Sequence, residues 1–150
     1  MQTSQCILDL LFLMSLIWCA ASDWRSRTIP NRAILGIAVL GMAQLGFALG
    51  IRASIWPQLA AIPFFGVLYL WWTKELLGGG DVKLMALICL YMGIGRAAIA
   101  FEICLAALCA IYFATAKGSK RLKRRKVALA PPLALGCVCV IVCQYVAAWL

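Results

Sequence analysis

The sequence predicts an all-α, polytopic membrane protein of about six transmembrane helices, and three observations carry that reading. The chain is 65% hydrophobic and 13% charged over 150 residues, a balance too apolar for a water-soluble domain. Apolar stretches of about 20 residues recur along nearly its whole length, roughly the number a helix needs to cross a hydrocarbon core about 30 Å thick. Positive charge gathers in alternate connections between those stretches, as it does in helical membrane proteins. The predicted spans run at about 5 to 22, 33 to 50, 55 to 73, 82 to 95, 97 to 116 and 131 to 149, in a single domain over residues 1–150.

The first span offers small residues at Cys19-Ala20-Ala21-Ser22, as a cleavable signal peptide would. No Lys or Arg precedes it, Asp9 interrupts it, and Asp23-Trp24-Arg25-Ser26-Arg27 is unlike the start of a secreted domain, so it is read as a true span. Before the second span, Pro30 biases Ile29 toward an extended conformation, and Asn31 suits the N-cap. That span carries a Gly46-x-x-x-Gly50 spacing, which permits close helix packing. Trp18, Trp24, Trp56, Trp71, Trp72 and Trp149 fall near span ends, where amphipathic rings anchor to the interface. The fourth span, Val82–Gly95, reaches only about 21 Å. Either the Gly-rich turn before it sinks below the headgroups, taking Asp81 with it, or the helix is recessed at the other end, at Gly93 and Gly95.

With the N-terminus outside, the first, third and fifth connections face the cytoplasm and hold 12 of the 14 Lys and Arg residues, leaving Arg52 and Arg96 outside. Asp23 and Asp81 are then both cytoplasmic, whereas Asp9 and Glu102 lie toward the outer side, where polar interhelix contacts are expected of them. The run 117–126 holds seven positive charges. It is read as a loop attracted to anionic lipid headgroups; without an aromatic residue for stacking, it is not read as a nucleic-acid site. The eight cysteines all sit in apolar runs, none forms a Cys-x-x-Cys pair, and there is no histidine. They read as small buried hydrophobes, and no metal or cofactor is expected.

Carboxylates at the mouths of apolar segments are functional candidates by default. Asp23 alone reads equally well as part of a capped turn, paired with Arg25 or Arg27. Asp81 follows Gly78-Gly79-Gly80, whose missing side chains let another backbone approach and permit unusual dihedrals, and it is expected to cap the fourth span. Together the two gain a chemistry. Adjacent carboxylates share one proton, so one member can activate water while the other polarises a scissile carbonyl. That is the hydrolytic mechanism best supported by a chain without histidine or clustered zinc ligands. Helix ends alone would favour charge on Asp81, at a helix start, and the proton on Asp23, at a helix end.

The Asp23 element with its Ile29-Pro30-Asn31, followed by Gly78-Gly79-Gly80-Asp81-Val82-Lys83-Leu84, resembles the type IV prepilin peptidases of the Gly-x-Gly-Asp aspartyl protease class. Ala130-Pro131-Pro132-Leu133-Ala134-Leu135-Gly136 is similar to the stretch after that family's last cytoplasmic loop, although Ala128 stands where many relatives carry proline. The resemblance implies Asp23 and Asp81 as catalytic residues, with Gly78, Gly79, Gly80, Lys83, Pro30, Asn31 and Pro131 shaping the site or binding substrate. It also implies a bacterial inner-membrane enzyme whose active site faces the cytoplasm and whose partner is a pilin-like precursor with a basic leader. The chain passes from its first span to Asp23 without the cytosolic insertion of the long members. It therefore resembles the short forms of tight-adherence (Flp) pili, for which methyltransferase activity is not expected. An intramembrane aspartyl protease of another substrate and a noncatalytic scaffold or transporter subunit, with the aspartates as caps or ion ligands, stay open at this point.

Overall fold

The computed structural model describes residues 2–50, 56–73, 78–116 and 129–149. The basic run 117–126, Arg52 and Lys74 lie outside the described residues, as do the side chains of Trp71 and Trp72. The described chain is helical, in the order α1 (Gln2–Ser26), α2 (Asn31–Gly50), α3 (Trp56–Leu59), α4 (Ala61–Thr73), α5 (Gly79–Met92), α6 (Ile94–Ala116) and α7 (Ala130–Trp149). Four of them, α1, α2, α6 and α7, are long and apolar enough to cross a membrane. The third expected span is divided into α3 and α4, and the fourth is the 14-residue α5. The result is a helical polytopic membrane protein, with every predicted span occupied by helix.

Large apolar side chains such as Leu10, Met14, Leu35, Val39 and Met42 lie exposed along α1 and α2, as a lipid-facing surface requires. The interior is built instead from close approach of small residues and a few large ones. α5 is its centre, burying Leu84, Ile88, Cys89, Tyr91 and Met92 among α2, α4 and α6. Cys19, Cys89, Cys104 and Cys137 are buried in the same core, the role expected of small hydrophobes, whereas Cys6, Cys109 and Cys143 are exposed on outward helix faces and Cys139 is half-buried, against that expectation.

α6 and α7 meet backbone to backbone. A Cβ added at Gly136 would collide with the Ala100 carbonyl oxygen and lie 3.1 Å from its carbon. The Ala97, Ala100 and Cys104 face of α6 is the one turned inward, so Glu102, about 200° around the helix from Ala100, is exposed and makes no hydrogen bond or ion pair with a described residue. Asp9 behaves as expected. It is 7% exposed and accepts hydrogen bonds of 2.7 Å from the Tyr91 and Tyr145 hydroxyls, joining α1 to α5 and α7. Phe12 stacks on Tyr91 with ring centroids 3.9 Å apart, holding the tyrosine in place.

Two local expectations are corrected. The Ile34 N–H bonds to the Pro30 carbonyl at 3.3 Å, which gives Pro30 the cap position of α2 and makes Asn31 its first helical residue. Gly46 and Gly50 have no neighbour within 4 Å of an added Cβ, so their spacing packs against no described helix; Gly41, against Leu90, makes the close contact instead. The short α5 ends at Gly93, which is buried with φ 78° and covered by Pro57 of α3, so the chain turns into α6 beneath that cover. A side chain at Gly93 would be strained and would crowd Pro57.

Because the neighbour at Gly136 is backbone and cannot swing aside, Gly136→Ala is expected to destabilise the bundle by about 1–3 kcal/mol, the usual range for overpacking. Thermal unfolding of the purified protein in detergent reads this directly, with Gly46→Ala as the variant expected to change little.

Candidate active site

α1 carries Asp23 in its last turn, and the way that turn closes determines what the carboxylate meets. The Arg27 N–H bonds back to the Asp23 carbonyl at 2.9 Å, and Arg27 itself adopts φ 52°, a left-handed helix stop made by a residue other than glycine. Ser26 accepts or donates at 2.9 Å to Thr28, and Ser22 donates to the Thr28 carbonyl at 3.1 Å, which folds residues 27–30 over the helix end. Ile29 then packs against Gly80, where an added Cβ would sit 3.5 Å from its side chain. The turn between α1 and α2 is thereby fastened to the first turn of α5.

Asp23 is 6% exposed, and its Oδ2 accepts the backbone N–H of Ala130 at 3.2 Å. This is the first residue of α7, and the sequence there explains why its donor is singular. Pro131 and Pro132 have no N–H, and the Leu133 N–H bonds to the Leu129 carbonyl at 3.2 Å. Of the donors that a helix start leaves unpaired, the one at Ala130 is directed to the Asp23 carboxylate, where the positive end of the α7 dipole also lies. Among the described residues Asp23 forms no ion pair with Arg25 or Arg27, both of which are exposed.

Asp81 is the third residue of α5, half-buried, and does not cap it. Gly78 holds the cap position without a side-chain hydrogen bond, and the Val82 N–H bonds to the Gly78 carbonyl at 3.1 Å. The Asp81 carboxyl instead folds back over Gly78, so that a Cβ there would stand 2.9 Å from Oδ2. Gly78 has φ −67°, which any residue adopts; it matters here for the space its missing side chain leaves, and not for an unusual dihedral. Standing just ahead of the apolar part of α5, Asp81 is held above the ordinary carboxylate range, first by burial and second by the nearby charge of Asp23. The two carboxyls are thus within electrostatic reach, and the direction is opposite to that expected from helix ends alone.

Of the other sequence candidates, Gly79 and Gly80 form the first turn of α5 beside Asp81, and Pro30 and Pro131 are half-buried next to the two aspartate-bearing turns. Lys83 and Asn31 are exposed. Lys83 lies two residues from Asp81 on a helix, a spacing that turns the side chains to different faces. The Ala130 N–H was missed as a site group, because a backbone donor has no residue-type signal; the Pro131-Pro132 pair that isolates it was the available clue.

The fold and this site define a polytopic helical membrane protein with a paired-carboxylate centre at one end of its bundle. Residues 10–117 match the type IV leader peptidase family, more than half of the chain including both Asp23 and Asp81, and the chain belongs to that family. Membership supports a leader-peptidase-like activity and, as its general substrate class, pilin-like precursors. No curated protein and no solved structure matches the chain.

The crowding at Gly78 separates activity from stability. Gly78→Ala is expected to displace the Asp81 carboxyl, a flexible side-chain end, and to lower peptide cleavage at least tenfold while changing thermal stability by less than about 1 kcal/mol. Gly80→Ala, whose Cβ would make an ordinary contact with Ile29, is expected to keep most of the activity. Cleavage rates and unfolding temperatures of the two variants provide the comparison.

Proposed function

We propose that this protein is an aspartyl endopeptidase of the bacterial inner membrane that removes the basic leader of pilin-like, Flp-type precursors at the cytoplasmic face. The observation that carries the reading is the pairing of Asp23 and Asp81 at one end of the bundle, on separate helices, in a member of the leader peptidase family. Orientation rests on the charge asymmetry of the connections, which assigns that end to the cytoplasm. The short-form resemblance points to Flp-type substrates and away from methyl transfer.

Asp23, held by the Ala130 N–H, acts as the base that takes a proton from the attacking water. Asp81, whose proton is retained by burial and by its neighbour's charge, donates to the carbonyl oxygen of the scissile peptide. As the C–N bond breaks, the proton gained by Asp23 passes to the leaving amine and a hydroxyl of the tetrahedral gem-diol returns its proton to Asp81, so the pair regains its singly protonated state. Gly78, Gly79 and Gly80 line the approach of the extended leader, while Pro30 and Pro131 hold the two turns that frame it. The alternative of simple capping is less well supported, since Asp81 makes no capping bond to α5.

Asn retains a carbonyl oxygen for the Ala130 N–H but cannot exchange a proton, so Asp23→Asn and Asp81→Asn are each expected to insert and fold yet cleave a candidate precursor at least about 100-fold more slowly. Substantial cleavage by either purified variant would remove that aspartate from the mechanism.

The raised pKa of Asp81 sets the sign of the pH response. Where a free aspartate has already ionised, the native chain still binds that proton, so stability falls as pH rises through the raised pKa. Cleavage by the singly protonated pair falls over the same interval. Rate and unfolding temperature measured across pH should decline together in the wild type, and Asp81→Asn should lose this part of the stability slope.

A further inference from the structure

The end of the bundle opposite Asp23 and Asp81 contains a second polar region that the peptidase reading does not use. Asp9 lies 14 residues before Asp23 on α1, about 21 Å away along the helix. From it a chain of hydrogen bonds runs outward: Gln5 Nε2 donates to Asp9 Oδ1 at 3.5 Å, and Gln44 Nε2 donates to Gln5 Oε1 at 3.4 Å. The chain ends at a cavity of about 580 Å³ walled by α1, α2, α3, α5, α6 and α7. Gln44 and Gln58 both line it, and the Oε1 atom of each is buried without a hydrogen-bond partner. Two orphaned acceptors in one cavity are costly, at about 1–3 kcal/mol for each buried polar group left unpaired. The exposed Arg96 stands at the same cavity, and none of the described residues pairs with its guanidinium.

An apolar groove continues from this cavity between α6 and α7. Arg96, Ile99 and Gln144 line both, and from them the groove follows Ile103, Val140 and Cys139 toward the middle of the bundle. From Arg96 to Ile103 it descends about 10 Å along α6. The sequence of surfaces is therefore a cation, two acceptors needing donors, and an apolar channel leading inward from them.

We propose that this cavity and groove bind one phospholipid molecule whose headgroup carries hydrogen-bond donors. The phosphodiester pairs with Arg96, the Gln44 and Gln58 amides turn to bring their covered Oε1 atoms to the ammonium of an ethanolamine headgroup, which donates to both, and one acyl chain lies along the α6–α7 groove. A soluble phosphate compound would leave the groove unused, and a choline headgroup would bring the phosphate without N–H donors. The lipid would fill the space that the short α5 leaves at its Gly93 end, where Met92, Pro57 and Gly95 also line the cavity.

The test uses the full chain, delipidated in detergent and titrated with phosphatidylethanolamine or with phosphatidylcholine of the same acyl chains, with binding read by native mass spectrometry. One ethanolamine lipid per chain is expected, bound at least tenfold more tightly than the choline lipid. Gln44→Leu/Gln58→Leu should erase that preference, and Arg96→Gln, at an exposed position, should weaken both lipids. Free phosphoethanolamine at equal concentration should not compete. Equal binding of the two lipids by the wild type, a preference that survives in the folded double glutamine variant, or full competition by phosphoethanolamine would each overturn the proposal. If the double variant fails to fold, as judged by circular dichroism, Gln58→Leu alone on the short α3 is expected to reduce the preference, and no reduction counts against the site.

Discussion

A carboxylate enclosed by an apolar bundle is tolerated only where donors meet it, and the hydrogen bond from the Ala130 N–H to Asp23 is the contact on which this end of the molecule depends. It joins the last turn of α1 to the first turn of α7. Since Pro131 and Pro132 have no N–H, the α7 start offers Asp23 a single fixed donor and no competing one. Ile29 against Gly80 adds the first turn of α5 to the same junction, bringing Asp81 beside a carboxylate whose own position is already set. Burial of Asp81 and the charge of Asp23 then act together on the Asp81 proton.

The opposite end repeats the device with side chains. Asp9 receives the hydroxyls of Tyr91 and Tyr145, so α1 is tied to α5 and to α7 by a buried carboxylate there as well. With α1 and α7 fixed at both ends, sliding or rotation of one against the other would break a charge-assisted hydrogen bond, typically about 1.5–3 kcal/mol. The geometry of the aspartate pair is thus held in part by tyrosines distant from it. Gly136 over the Ala100 carbonyl keeps α6 close to α7 along the length between these two clamps.

Much of this was legible because hydrophobic length and charge placement act over many residues at once. Five of the six apolar runs became single helices with ends displaced by a few residues, the third is divided into α3 and α4, and Asp23 and Asp81 emerged on one end of the bundle as the connection pattern required. The misses concern single atoms. Asn31 and Asp81 have the residue types of N-caps, yet Pro30 and Gly78 hold those positions. Gly46 and Gly50 have the spacing of a packing motif, but spacing does not say which face a helix turns inward, and the inward face of α2 is the one bearing Ala33, Ile37 and Gly41. Glu102 was misplaced for the same reason, on α6.

The raised pKa of Asp81 shows most directly how tertiary context overrides a local rule. The dipole of α5 favours charge on Asp81, by typically less than about 1 kcal/mol at an exposed site and about 2 when partly buried. That local preference assumes that each aspartate feels only its own helix. In the folded chain Asp23 faces the positive end of a third helix, α7, whereas Asp81 is half-buried, folded over Gly78 and set near a like charge. Desolvation first and repulsion second raise the pKa of Asp81 against the pull of the α5 dipole. The proposed division into acid and base therefore draws on three helix ends, and α7 contributes one of them although the family match ends before that helix begins.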